Sequence, residues 1–504
     1  MKKMSKITQL SMFDGAQQFK IDKPIRLIEL FSGYGSQSLA LKYLGVPFES
    51  YKIAEWAVKS IQAYKDMHFT DDNTNYSESL TKDEIINYLY EKGISADYNQ
   101  PMTLQQIQRL GEYKARQIYN NIQSTHNLVS VCNIHGKDLE ITDTDKYCYI
   151  MTYSFPCQDL SNAGLGKGMG RDSGTRSGLL WEVERILKEL RKDNKPLPQV
   201  LLMENVPEVI GKKNIKHFEE WLKSLDELGY KSKYEVLNAK DFGIPQNRNR
   251  CFMISILGDY YYEFPQKQPL KLRLKDMLED NADEKYYLSD IAVKGAMNTS
   301  YNCTRLESRT EKNGVMPTLC ARDYKGPKLV VENSIKSEQV GVLSGGKWDK
   351  MYDIARRVYS SNGLSPTITT CGGGQREPKI MEEPIKTLEP NLKQKLCNNL
   401  IASGKVREMD VIRHSYTKSR MNGEMKDIKA NNMCPTLDTR ADCLGVCTDY
   451  RIRKFTPKEA FRLMGVKDED YENVAVNQSN SSLYHLAGDS IVVDVLCVIF
   501  NQML

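Results

Sequence analysis

Residues Ile25 to Leu30 form a short apolar run that leads into Ser32-Gly33-Tyr34-Gly35-Ser36, after which Leu39, Ala40, Leu41 and Leu44 set a helical pattern. Strand, glycine turn and helix in this order open a nucleotide-type α/β fold. A lone Gly-x-Gly equally serves tight-turn packing, so the context matters. The next strand-like piece, Phe48 to Ala54, ends in Glu55-Trp56. An acidic residue at the end of the second strand is where such folds bind ribose hydroxyls, and an indole beside it can cover a purine face.

Further strand and helix alternation follows in Tyr149 to Tyr153, in Val200 to Met203 before Glu204-Asn205-Val206, and in Cys251 to Leu257. Residues 70–125 are polar and helical in pattern and read as an insertion. From about Pro265 to Tyr450 the pattern changes to short segments rich in Gly, Pro, Thr and Asn. Three pieces there resemble one another: Met316-Pro317-Thr318-Leu319, Ser365-Pro366-Thr367-Ile368 and Cys434-Pro435-Thr436-Leu437, trailed by Arg322, Arg376 and Arg440. They read either as a degenerate strand-turn repeat or as chance similarity of short strings. After Tyr450 the first kind of pattern returns and ends in the apolar run Ile491 to Phe500. The sequence thus predicts an α/β protein with a doubly wound, mostly parallel sheet and an inserted, smaller, mixed or β-rich domain. The expected division is a leader over 1–24, a first part of the main domain over 25–265, the inserted domain over 270–450 and a closing part over 451–504.

At 504 residues the chain has room for roughly two to four domains. No apolar run approaches the ~20 residues that span a bilayer, and Met1 to Gln18 lacks the apolar core of a signal peptide, so neither membrane nor export is expected. Twelve cysteines without paired spacing point to reduced thiols and a cytoplasmic setting. The closest cluster, Cys434, Cys443 and Cys447, matches no common zinc pattern, and no metal is expected. Net charge is +5, and residues 270–450 hold the surplus, 29 Lys+Arg against 24 Asp+Glu. That excess permits a polyanion partner, although a solvated surface would look similar.

Candidate chemistry lies at the ends of the strand patterns. Cys157 follows Ser154-Phe155-Pro156 and precedes a loop with Gly164, Gly166, Gly168, Gly170 and Gly174. A thiol on a rigid strand end beside a loop able to close over it is how a nucleophile is displayed; an inert buried thiol is the ordinary alternative. Glu204 sits at the edge expected of a parallel sheet, where desolvation suits a carboxyl to donate a hydrogen bond or proton; capping the following helix is its alternative. Gln246-Asn247-Arg248-Asn249-Arg250 alternates as a strand would, putting Gln246, Arg248 and Arg250 on one face. Two arginines there can hold a phosphate or order a carboxylate, or simply form an exposed basic edge.

In this order the strings resemble the cytosine-5 DNA methyltransferases. The matching pieces are Glu29 to Gly35, Glu55-Trp56, Phe155 to Ser161, Glu204-Asn205-Val206, Gln246-x-Arg248-x-Arg250, Arg453 to Glu459 with Arg462-Leu463-Met464-Gly465, and Tyr484 to Ser490. The resemblance covers roughly 25–260 and 450–504, and 270–450 falls where that family places its variable target recognition domain. It implies a class I methyltransferase-like fold and transfer of a methyl group from S-adenosylmethionine to carbon 5 of a flipped-out cytosine in double-stranded DNA. Cys157 would add to carbon 6, Glu204 would bond to ring nitrogen 3 and the exocyclic amine, Arg248 would contact the carbonyl oxygen, and Gln246 and Arg250 would complete the catalytic set. The loop from Gln158 to Arg176 would close over the base.

The same resemblance implies that Phe31, Ser32, Gly33 and Gly35 line the cofactor pocket, with Glu55 on the ribose, Trp56 on the adenine, Asp138 on the adenine amine, and Leu179 and Ser490 completing it. Glu29 departs from the usual aspartate, Gly136-Lys137-Asp138-Leu139 has one residue more than the usual string, and Asp489 replaces an asparagine. A monomer in a prokaryotic cytoplasm, at the nucleoid through DNA, is implied, in a restriction-modification or phage-protective setting that leaves room for a cognate endonuclease. Two rivals share the fold: a tRNA cytosine-5 methyltransferase, whose family carries a Cys-Phe-Thr string absent here, and a non-catalytic DNA-binding relative, against which Cys157, Glu204 and the arginines stand intact.

Overall fold

A computed structural model describes residues 17–156, 160, 168–171, 175–272, 274–286, 339–351, 353–361, 365–366, 379–382, 411–414, 443–446, 451–454 and 456–504. The expectations placed on Cys157, on most of the glycine loop, on Arg322, Arg376 and Arg440, and on nearly all of the three similar pieces lie outside those residues. The chain divides into two compact units, Met1–Ile244 with Arg248–Leu272 and Ala460–Leu504, and Pro245–Asn247 with Arg273–Glu459.

The first unit is built on a six-stranded sheet. Its strands are β1 (Ile25–Leu30), β2 (Phe48–Ala54), β3 (Cys148–Tyr153), β4 (Val200–Asn205), β5 (Tyr230–Asn238) and β6 (Asn249–Leu257). They lie in the order β2-β1-β3-β4-β6-β5. The β2, β1, β3 and β4 strands are parallel, whereas β6 is antiparallel to both of its neighbours. Five of the six strands thus run one way and β6 alone runs against them, so the sheet is mixed. The physical reason is the connection from β5 to β6, which holds only the short 3-10 turn Ala239–Phe242. A parallel return needs a dozen or more residues of crossover, so the chain must reverse. The outermost strand, β5, carries exposed Lys231 and Glu235, charges that discourage edge pairing.

Both β3 and β4 are buried at every position, which is why they read as continuous apolar runs rather than alternating ones. Alternation instead shows in where β1 points its side chains. Ile28 and Leu30 join Tyr149, Met151, Tyr153, Leu201 and Met203 in one core. That core is closed by Val183, Ile186 and Leu187 of α6 (Leu180–Lys192) and by Phe218, Trp221 and Leu225 of α7 (Ile215–Glu227). Glu29 faces the other way. Its buried carboxylate accepts from Ser38 Oγ at 2.6 Å and Tyr64 Oη at 2.5 Å, on α1 (Ser36–Leu44) and α2 (Val58–His68). Burial pushes this carboxyl up to about 6, against those hydrogen bonds.

The insertion forms α3 (Lys82–Lys92), α4 (Leu104–Gln108) and α5 (Glu112–Ser124) around its own core of Ile85, Leu89, Ile107, Ile118 and Ile122. Capping boxes Thr81/Glu84 and Thr103/Gln106 start α3 and α4. The end of the chain returns as α8 (Asp468–Ala475), α9 (Asn480–Asp489) and α10 (Val493–Asn501), with α10 packed on α1. Asp470 of α8 accepts from Lys42 Nζ and Tyr43 Oη, both at 2.6 Å. Contrary to the expectation that no such run exists, Asn480–Asn501 is long and apolar enough to cross a membrane by composition. Two-thirds of its apolar window (67%) is buried inside the molecule instead, as core helices are.

In the second unit, Arg451–Lys454, Lys379–Glu382, Arg357–Ser360 and Gln339–Val342 form a four-stranded mixed sheet in that order, and Val411–His414 pairs with Cys443–Val446. Because Arg451–Lys454 pairs at full length with Lys379–Glu382, the chain remains in this unit past the 450 at which the composition changes.

The turn from β1 to α1 yields a test. Gly35 caps α1 at φ 83°, and a Cβ there would lie 2.4 Å from His68 Nε2 and 2.6 Å from Tyr64 Cε2. Gly33 has φ 56° but open space around a Cβ. Gly33→Ala should cost about 1 kcal/mol, from backbone strain alone. Gly35→Ala should cost about 2–4 kcal/mol, because two packed rings must also move. Thermal melts of both variants check the difference, and equal losses would mean that crowding is not what Gly35 relieves.

Candidate active site

The parallel register sets Ala54, Leu30, Tyr153 and Met203 side by side. The next residue of each strand, Glu55, Phe31, Ser154 and Glu204, therefore falls in one row along the C-terminal edge of the sheet. Ligand clefts of open α/β sheets form at that edge. All four line a single cavity of about 390 Å³, within the size range of small-molecule sites.

At one end of the cavity stands Glu55. Its Oε2 accepts from Gly33 N at 3.0 Å and its Oε1 from Ala57 N at 2.8 Å. Burial pushes the carboxyl up to about 7 in spite of these two bonds. Phe31 is held at φ 59°, unusual for a residue with a side chain, by a 2.9 Å bond from its N–H to Ala54 O. Ser32 Oγ is buried with no hydrogen-bond partner. Ser490 Oγ lies 2.7 Å from Tyr34 Oη. Trp56, Leu179 and Ser490 also line the space. An acceptor carboxylate, an indole and an unsatisfied hydroxyl around open space beside Gly33 fit a ligand with a purine and vicinal ribose hydroxyls.

Two of the expected cofactor contacts are placed differently. Gly35 does not line the cavity; it shapes the turn beneath it. Asp138 does not line it either, because its carboxylate accepts from His135 N at 2.8 Å and caps the 3-10 turn Gly136–Leu139. The segment that reaches the cavity from this region is 129–132.

At the other end, Glu204 is the fifth residue of β4 and its carboxylate is paired with Arg250, Nε to Oε1 3.0 Å. The helix-capping alternative does not describe it. Burial raises its proton affinity, and the charges of Arg250 and Arg248 oppose that rise. Arg248 lies before β6 and donates through Nη2 to Gly488 O at 3.0 Å and Ser490 O at 2.7 Å, tying the sheet to the end of α9. The expected strand over 246–250 begins only at Asn249. Gln246 belongs to the second unit, where it bridges Ser365, while Arg248 and Arg250 both line the cavity. Pro156, which precedes Cys157 in the chain, lines the cavity, and its carbonyl accepts from Ser177 Oγ at 2.7 Å.

Several cavity residues escaped sequence reasoning. Tyr98, at φ 63°, stacks on His485 with centroids 4.3 Å apart and an interplanar angle of 17°. Asn99 Oδ1 accepts from Arg176 Nη1 at 2.7 Å. Nothing in the insertion's polar helical pattern signals that its loop reaches this site. Asp489 was visible as a departure from the family string, and its Oδ2 lies 3.2 Å from His485 Nδ1.

Comparison with known proteins places these features. Residues 106–504 match the family described as C-5 cytosine-specific DNA methylase. The type II methyltransferase M2.ScrFI of Lactococcus lactis subsp. cremoris is 30% identical over 482 residues, 95% of this chain and 99% of its own. The orphan methyltransferase M.SssI of Spiroplasma monobiae is 36% identical over 396 residues, 75% of this chain and 95% of its own. The solved structure of the Entamoeba histolytica methyltransferase EhMeth shares the fold, with a TM-score of 0.50 at 12% identity over 96% of this chain and 98% of that one. The chain belongs to the C-5 cytosine-specific DNA methylase family and is a DNA (cytosine-5-)-methyltransferase, with S-adenosylmethionine as its methyl donor.

Proposed function

We propose that the cavity of the first unit holds the cofactor and a flipped-out cytosine together, and that Cys157 is the nucleophile. The observation that carries this reading is the sharing of one cavity by Glu55 and Glu204, with Pro156 in its wall. Phe31, Ser32, Gly33, Glu55, Trp56, Leu179 and Ser490 would hold S-adenosylmethionine. When bound, it supplies an electrophilic methyl group on a sulfonium to carbon 5 of the base.

Carbon 5 of cytosine is a weak nucleophile. Addition of the Cys157 thiolate at carbon 6 makes carbon 5 enamine-like and able to take the methyl group. Glu204, whose burial favours the protonated form, donates to ring nitrogen 3 and accepts from the exocyclic amine, drawing electrons into the ring. Arg250, already beside Glu204, keeps that carboxyl in place. Arg248, bound to the carbonyls of Gly488 and Ser490, keeps the far wall in place. Loss of the carbon 5 proton and departure of the sulfur restore the ring. These atoms are shielded within a duplex, so the base must leave the stack, and closure of the loop over 158–176 would shelter it.

The mixed sheet with helices on both faces serves, in this reading, as a doubly wound class I methyltransferase frame. The second unit is its inserted target recognition domain and sets the DNA word. The names of the bacterial relatives, one type II and one orphan, support a restriction-modification or phage-protective role, with or without a cognate endonuclease; a monomer acting in a prokaryotic cytoplasm completes the proposal. Bisulfite sequencing of the expression host's DNA tests this reading. Methylated cytosine in one recurrent word is expected, and host DNA without it would contradict the assignment.

Glu204→Gln keeps size and loses the acid, so turnover should fall by ~10²-fold or more with little change in melting temperature. Near-normal turnover in a less stable protein would show that the carboxyl is structural. Glu55 yields a pH dependence. Only its ionised form accepts from two ribose hydroxyls, so protons and cofactor compete for it. Affinity for S-adenosylmethionine should rise as pH increases through about 7 and level off above. Titration calorimetry from pH 6 to 8.5 should show this rise in the wild type and a flatter, weaker profile in Glu55→Gln. The ligand's own titration cancels in that comparison, and identical profiles would remove Glu55 from the cofactor.

A further inference from the structure

Asp489 is a carboxylate in a place that disfavours one. It ends α9, where the helix dipole presents its negative end. It also shares its cavity with two other carboxylates, Glu55 and Glu204. Its side chain lines the cavity and is 48% exposed. Burial there raises its proton affinity, and His485, Arg248, Arg250 and Arg176 draw it back down. The charge of Asp489 in turn acts on both Glu55 and Glu204, so it lies within electrostatic reach of both ends of the cavity. Ser32 Oγ, 5% exposed as a residue and without a hydrogen-bond partner, marks the same cavity independently as built for a ligand. An anion in such a place breaks a local rule, and residues that do so tend to serve function.

We propose that Asp489 makes the site prefer the cationic methyl donor over its product, S-adenosylhomocysteine. The inference rests on the reading of this cavity as the cofactor site. Donor and product share the adenosine and amino-acid parts and differ by one methyl group and one positive charge on sulfur. The contacts of Glu55 and Trp56 fall on the shared adenosine and are common to both ligands. A carboxylate in the cavity wall attracts the sulfonium and has little hold on a neutral thioether. His485 Nδ1 lies 3.2 Å from the carboxylate, and its ring is stacked on Tyr98. The asparagine usual at this position keeps the shape and lacks the charge. In this chain, therefore, methyl transfer itself loosens the hold on the product.

The test is equilibrium binding to the full-length protein, without turnover. Dissociation constants for S-adenosylmethionine and S-adenosylhomocysteine are measured by calorimetry on the wild type, Asp489→Asn and Asp489→Glu, with melting temperatures taken ligand-free. Asp489→Asn should weaken the donor by at least about fivefold and change the product by less than about twofold, and Asp489→Glu should keep the wild-type ratio. Should Asp489→Asn fail to fold, Asp489→Ser carries the same comparison. An unchanged donor-to-product ratio in the neutral variant overturns the inference. Failure of the wild type to bind either ligand overturns the cofactor-site reading instead.

Discussion

The hydrogen-bonded register of four parallel strands is the constraint on which the site depends. Because Ala54, Leu30, Tyr153 and Met203 share one level, Glu55, Phe31, Ser154 and Glu204 emerge together at the next. A slip of one residue in β4 would turn Glu204 to the other face and carry it away from Arg250. Register in turn is fixed by burial. With β3 and β4 covered at every position, no alternative pairing keeps Tyr153 against Trp221 and Met203 within the same core. The helices therefore act on chemistry at a distance, by holding strands whose ends carry the functional groups.

Electrostatics decide what those groups can do. Glu55, Glu204 and Asp489 face one recessed space, and burial raises the proton affinity of all three. Arg248 and Arg250 oppose that rise at Glu204 and Asp489. Glu55, pushed up to about 7, is poised: its two protonation states are close enough in free energy for a bound ligand to choose between them. Glu29, on the opposite face, shows the contrast. It is fully buried, enclosed by Ser38 and Tyr64, and anchors α1 and α2 rather than meeting a ligand.

Much of this was legible in the chain. Fully buried strands read as apolar runs, and the turn at Gly33 and Gly35 announced both strand end and helix start. What was missed has physical reasons. Periodicity records which residues are buried, not strand direction, so the reversal into β6 is encoded only in the shortness of the connection over 239–248. The alternating arginines looked like a strand, yet Pro245 to Asn247 are taken up by pairing with Ser365, and the strand starts two residues later. Asp138 also caps the 3-10 turn Gly136–Leu139, a local hydrogen bond that its place in the family string does not signal. Tyr98 and Asn99 reach the cavity through tertiary packing of the insertion, which no local pattern encodes.

The central claim is that the first unit brings cofactor, base and the Cys157 thiol to a single point. DNA containing 5-fluorocytosine in the target word tests it most directly, because fluorine cannot leave as a proton does and the adduct is trapped. After incubation with S-adenosylmethionine, proteolysis and mass spectrometry should find the methylated, fluorinated base attached to the peptide containing Cys157, and no adduct in Cys157→Ala. Attachment at another residue, or full methylation of ordinary DNA by Cys157→Ala, would contradict the account.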